Sequence, residues 1–239
     1  MTSRSTVRGE LRSISTGSVE IDRKMGGGIP YQTVMLIEGP AASGKSTLAQ
    51  QLLYGALTSG EQVAIYTTEQ TVQSFIRQMD SLGLSVTDYF LLGYLQIFPV
   101  SLSSDETDPQ ALFQELSNHI ERQVDCRVIV VDALTTFVSQ AGGDQILDFF
   151  GRCKAVCDSG KVVICTVHDH AFDEDSLTRV RSVCDAYLRL QVRTSGSQLL
   201  KTIEVAKIRG ADMATGNIIG FQVEPGLGIK IVPISRARA

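Results

Sequence analysis

The sequence predicts an α/β fold: a mainly parallel β-sheet between helices, with an antiparallel β extension toward the C-terminus. Three observations predict it. Short apolar runs alternate with helix-patterned segments, the signature of repeated βαβ units. Three of the runs are nearly continuous in Val and Ile, as strands covered on both faces require. After about Ser182 the periodicity changes to two, with turn signals between the alternating stretches.

The parallel strands are expected at Val34–Ile37, Val63–Tyr66, Leu95–Phe98, Val128–Val131 and Val162–Val167. Between them, Ser46 to Thr58 places Leu48, Leu52 and Ala56 at four-residue spacing, which makes one apolar stripe on a helix. Asp108-Pro109 predicts the start of another helix, with Asp as cap and Pro in the first turn. Its stripe is Leu112, Leu116 and Ile120. Gln145 to Asp158 forms a third, with Ile146, Phe149, Phe150, Cys153 and Cys157 inward. The alternating segments Tyr187–Arg193 and Leu199–Lys207 flank Thr194-Ser195-Gly196-Ser197, a hairpin signal, and Phe221–Val223 and Ile229–Val232 flank a second turn.

A chain of 239 residues with a 43% hydrophobic share supports one domain over 1–239, with residues 1–14 expected to be flexible. The formal net charge of −4 disfavours a phosphate-gripping nucleic-acid surface. The five cysteines match no zinc spacing and read as small buried hydrophobes in a reducing compartment. The polar start lacks a signal-peptide core, and no run approaches the ~18 apolar residues of a membrane span. A cytoplasmic location is expected.

The chemistry is concentrated in Gly39-Pro40-Ala41-Ala42-Ser43-Gly44-Lys45-Ser46-Thr47, which follows a strand and opens a helix. That is G-x-x-x-x-G-K-S in the context the motif needs. Two glycines let the backbone curl, so that main-chain N–H groups and the helix N-terminus face an anion. Lys45 is expected at the β- and γ-phosphates of ATP, and Ser46 on Mg²⁺, an oxygen-seeking ion. Asp132 ends a buried apolar strand, where a carboxylate needs a partner. Mg²⁺ supplies one; a cap for the next turn is the other reading. Glu69 follows Val63–Tyr66, a strand expected beside the phosphate-loop strand. It can orient or deprotonate the attacking water, or be a surface loop residue.

With these residues in place, the chain resembles the KaiC-like branch of the RecA superfamily and, within it, the FlaH family of archaellum accessory ATP-binding proteins. The resemblance runs from about Ser15 onward. It rests on Gly26-Gly27-Gly28-Ile29-Pro30, the phosphate loop, Tyr66-Thr67-Thr68-Glu69, Arg77–Gly83, Val86–Phe90 and Phe221–Ile229. It implies a RecA-like P-loop core assembled as a hexameric ring with ATP near the subunit interfaces. It further implies docking to the motor ATPase and to a polytopic membrane platform protein, hence a place at the membrane through partners. Lys207-Ile208-Arg209 matches a Lys-x-Arg pair that reaches a neighbour's nucleotide in KaiC-like proteins, and the two cations share strand parity. A solvated basic strand end is the alternative. One departure matters: Glu69-Gln70 stands where KaiC-like proteins tend to carry two glutamates, which implies slow hydrolysis or none.

His168-Asp169-His170 follows the strand Val162–Val167 and can be a metal pair, a polar group near the γ-phosphate, or a simple strand end; Thr166 is a similar candidate. The acidic stretch Ala171–Asp175 repels nucleic-acid phosphates. A signalling autokinase and a DNA recombination ATPase are the competing functions. No phosphorylated residue is assignable, and no basic DNA-binding loop is visible.

Overall fold

The computed structural model describes residues 13–100, 109–139, 141–195, 198–213 and 215–233. Residues 1–12 of the expected flexible segment, the capping Asp108, and Gly196 and Ser197 of the first hairpin turn lie outside the described residues.

The described chain opens with β1 (Ser13–Ile14), α1 (Val19–Lys24) and β2 (Ile29–Pro30), and β2 pairs antiparallel with β1. Next come β3 (Thr33–Gly39), α2 (Lys45–Thr58), β4 (Val63–Thr67), α3 (Val72–Ser81), α4 (Thr87–Leu91) and β5 (Leu95–Pro99). They are followed by α5 (Pro109–Glu121), β6 (Val128–Asp132), α6 (Thr135–Val138), α7 (Gly143–Asp158), β7 (Val162–His168) and α8 (Glu174–Val183). Four strands complete it: β8 (Ala186–Ser195), β9 (Gln198–Ile208), β10 (Ile218–Glu224) and β11 (Gly228–Val232). Each expected strand and each expected helix is present, within a few residues of its expected ends.

Nine strands form one sheet in the order β11-β10-β9-β8-β3-β7-β6-β4-β5. From β8 to β5 all neighbours are parallel; from β8 to β11 all are antiparallel. This is the RecA-like core with its antiparallel extension on one edge. One expectation is corrected: β4, which leads to Glu69, does not adjoin β3. Strands β6 and β7 lie between them. The chain first crosses outward to β4 and β5 and later returns to fill the gap. Neighbours in sequence are neighbours in a sheet only about two-thirds of the time, so sequence order alone could not place it.

Alternation along β3 sends Met35 and Ile37 to one face and Val34 and Leu36 to the other, seeding two cores. The first holds the α2 stripe Leu48, Leu52 and Ala56, with Phe75 and Met79 of α3 and Phe221 of β10. The second holds Leu116 and Ile120 of α5 and Phe149 and Phe150 of α7. All five cysteines are buried free thiols inside or beside these layers, as their apolar neighbours suggested. Burial pushes the Cys153 and Cys165 thiols well above their ordinary range.

The N-terminal arm crosses α2 at Gly55. A Cβ there would sit 2.0 Å from the Ser15 carbonyl oxygen and 2.5 Å from the Thr16 carbonyl carbon, both backbone. Gly55→Ala is therefore expected to destabilise the fold by about 2 kcal/mol, through overpacking against main chain that cannot yield cheaply. Urea denaturation would measure it; a gain in stability, as better helix propensity alone predicts, would contradict the close approach.

Candidate nucleotide site

The phosphate loop leaves β3 at Gly39 and enters α2 at Lys45. Gly44, the N-cap of α2, is left-handed (φ 99°), and Ala42 is also at positive φ (58°). The two motif glycines answer to packing as well as to curl. A Cβ on Gly39 would come within 2.7 Å of the Leu190 carbonyl oxygen, and one on Gly44 within 3.1 Å of the Phe221 ring. Phe221 thus lies beneath the loop from β10, a contact invisible to local sequence. No side chain caps α2, and its first turn holds no acidic residue. The partial positive charge of that end is left for an anion.

Lys45 is 7% exposed, and its Nζ donates to the carbonyls of Gly39 (2.9 Å) and Pro40 (2.8 Å). Burial pulls its pKa down, while the charges of Asp132, Asp169 and Glu69 push it up. Ser43 Oγ is buried without a partner among the described residues, beside the same loop. It lies against Gly39, and a buried hydroxyl left without a partner costs free energy.

Asp132 ends β6 and is 6% exposed. Its Oδ1 accepts from Ser46 Oγ (3.0 Å) and from Thr166 Oγ1 (2.5 Å). Burial raises its pKa, and those two hydroxyls lower it. Thr166, an open candidate in the sequence, is placed by this bond as the residue that orients Asp132 from the adjacent strand β7. A hydroxyl and a carboxylate side by side form an all-oxygen set at the helix N-terminus, of the donor type that Mg²⁺ takes. The residues present fit a Mg²⁺-nucleotide.

Glu69 is exposed just past the end of β4, and its N–H donates to Thr67 Oγ1 (3.4 Å). Its charge is felt at both Lys45 and Asp132. The fold thus brings the phosphate loop, Asp132 and Glu69 to the C-terminal edge of one sheet, where open α/β sheets place their ligands.

Lys207 and Arg209 are not brought there. Ile208 pairs with Ala186, which pairs with Met35, four residues before Gly39. At the rise of a strand that is roughly 13 Å back along the strands from the phosphate loop, toward their N-terminal ends, and β9 lies two strands to the side. Lys207 Nζ donates to the Arg181 carbonyl (2.7 Å), and Arg209 Nη1 lies 3.5 Å from Asp185 Oδ1. Neither can serve the nucleotide of its own chain from this position. His168 donates its N–H to Thr135 Oγ1 (2.9 Å), and the exposed His170 lies beside Asp169. Among the described residues no three His, Cys, Asp or Glu side chains converge as a metal site.

Glu38 was missed. It is 2% exposed, one residue before the loop, and accepts from Tyr187 Oη (2.6 Å) and Arg181 Nη2 (2.7 Å). Like Asp132, it is a carboxylate at the end of a buried apolar strand, which is the signal the sequence carries for it. Glu38→Gln keeps the volume and loses the ion pair; a cost of about 2 kcal/mol is expected, since Arg181 can still reach water. Thermal or urea unfolding checks it, and an unchanged midpoint would remove Glu38 as an anchor of β3.

With this geometry in view, the family described as "ATPase: KaiC" matches residues 14–236. The archaeal flagellar ATP-binding protein FlaH of Sulfolobus acidocaldarius is 33% identical over 229 residues, covering 95% of this chain and 99% of that protein. FlaH of Methanocaldococcus jannaschii is 30% identical over 229 residues, covering 93% and 96%. The crystal structure of the flagellar accessory protein FlaH from M. jannaschii superimposes with a TM-score of 0.80 at 28% identity, covering 94% of this chain and 100% of that one. No helix among the described residues is long and apolar enough to cross a membrane.

Proposed function

This chain belongs to the KaiC-type ATPases and, within them, to the FlaH family, and from that premise we propose that it is an ATP-binding accessory protein of an archaellum motor. The observation that carries the reading is the phosphate loop itself, with a buried lysine and a Ser46–Asp132 oxygen pair at an uncapped helix end. Main-chain N–H groups of the Gly39–Thr47 loop, Pro40 having none to offer, bind the phosphates, and Lys45 exchanges its two carbonyl partners for β- and γ-phosphate oxygens. Ser46 and Asp132 are the residues that would hold Mg²⁺, which would supply charge neutralisation, and Thr166 fixes the carboxylate.

Glu69 holds the attacking water on the open side of the site. Beside it stands Gln70 rather than a second carboxylate, so turnover is slow and occupancy acts as the signal. The chain assembles as a hexameric ring with nucleotide near the interfaces. The distance of Lys207 and Arg209 from their own loop fits this, since any nucleotide phosphate they contact would be a neighbouring chain's. The nucleotide-filled ring docks on the motor ATPase and the membrane platform protein, which keeps a cytoplasmic protein at the membrane.

Light scattering with and without Mg²⁺-ATP tests the assembly. The wild type is expected to form hexamers with nucleotide. Arg209→Ala is expected to lose either assembly or at least about tenfold in turnover, the scale of one charge acting in trans. The variant should fold normally, because the Arg209 side chain is largely exposed, its ion pair with Asp185 is long, and its backbone bond to the Asp185 carbonyl is kept. Intact hexamers with unchanged turnover would remove the interface role.

A further inference from the structure

Three glutamines form an unbroken side-chain chain between the phosphate-loop helix and the loop that carries Glu69. Gln70 Nε2 donates to Gln78 Oε1, and Gln78 Nε2 donates to Gln50 Oε1 (3.3 Å). Gln50 lies one helical turn after Ser46 on α2 and is completely buried. Gln78 lies on α3, whose N-cap Thr71 directly follows Gln70. The apolar stripes of the two helices pack in the same core, so this polar contact is set into a layer that Leu or Met would otherwise fill. The chain is also incomplete at both ends. Gln50 Nε2 and Gln70 Oε1 are buried with no partner among the described residues, a donor at one end and an acceptor at the other. A partly satisfied buried network is costly, and its retention calls for a use.

We propose that Gln70–Gln78–Gln50 is a positioning relay that couples the location of Glu69 to the state of the phosphate-loop helix. A movement of α2 when phosphates occupy its N-terminus is passed through Gln50 and Gln78 to Gln70 and so to the neighbouring Glu69. Gln78 is the indispensable link, since it both accepts and donates, which an ionised Glu or an aliphatic residue cannot do. The same reasoning gives position 70 a reason to be an amide. A carboxylate there could only accept, which would require the Gln78 and Gln50 amides both to turn over, and it would add charge beside Glu69. The role of Glu69 in the relay rests on the nucleotide reading above; the mechanical coupling does not.

The test is amide hydrogen exchange on the full chain, with a substitution at one end read at the other. Without nucleotide, Gln50→Ala is expected to speed exchange at Thr68–Thr71 by at least about threefold, the lower range for residues in one network. In the Gln78→Leu background the same substitution should have no further effect there. Additive effects, or none at Thr68–Thr71, would overturn the relay, whatever happens to ATP. With Mg²⁺-ATP, the wild type should gain protection at both Lys45–Ala49 and Thr68–Thr71, and the Gln78→Leu variant only at Lys45–Ala49. Its ATP affinity should stay within about twofold while single-turnover hydrolysis falls about tenfold, a split that general loosening would not give. Undiminished transmission to Thr68–Thr71 in Gln78→Leu would also overturn the relay. Absence of protection at Lys45–Ala49 in the wild type would instead refute the nucleotide assignment and leave the nucleotide-free arm to decide the relay.

Discussion

Lys45→Ala is expected to weaken ATP binding by at least about a hundredfold, the equivalent of about 3 kcal/mol for two charge-assisted hydrogen bonds. Calorimetry in the presence of Mg²⁺ measures it. The structure gives the reason for so large an effect. Lys45 is buried beneath the loop, and the groups closest in charge to it are the carboxylates Asp132, Asp169 and Glu69. Removing the cation leaves those carboxylates facing incoming phosphates. The variant should nevertheless fold, because the ammonium's partners are loop carbonyls that water can replace once the side chain is gone. Near-normal affinity would refute the phosphate-loop assignment and the functional reading with it.

Glu69→Gln should have the opposite profile. Binding is kept and single-turnover hydrolysis falls by about 10² or more, the contribution of a positioned general base. The exposed position of Glu69 means that little stability is at stake, so the loss can be read as chemistry. An unchanged rate would remove Glu69 from catalysis and leave a protein in which occupancy alone matters. Measuring Lys45→Ala and Glu69→Gln together separates the two: the first tests whether nucleotide is held, the second whether it is consumed. The relay predicts a third pattern, in which Gln78→Leu keeps binding and slows hydrolysis as Glu69→Gln does, by about tenfold rather than a hundredfold, from a position outside the site.

Several features were legible because they depend on short stretches of chain. The Val- and Ile-rich runs had to be doubly covered strands, and Leu48, Leu52 and Ala56 had to form one face of a helix, because period and apolarity decide both. The phosphate loop was equally plain, since its glycines, lysine and serine act within nine residues of each other. Asp132 was found by cost: a carboxylate at the end of Val128–Val131 needs a partner, and Ser46 and Thr166 are there. Glu38 obeys the same rule, with Tyr187 and Arg181 as its partners.

What the chain by itself determined is therefore local: element types, the curled loop, and the identity of the acids that end buried strands. Those properties follow from periodicity, backbone freedom and desolvation, each felt within a few neighbouring residues. Only the tertiary structure decided which strands lie side by side, putting β6 and β7 between the phosphate loop and Glu69 and carrying Lys207 and Arg209 away from both. It alone set Phe221 under Gly44 and joined Gln70, Gln78 and Gln50 across two helices. Such contacts are made between segments far apart in the chain, and the free energy that selects among them is the burial of whole faces, which no short stretch encodes.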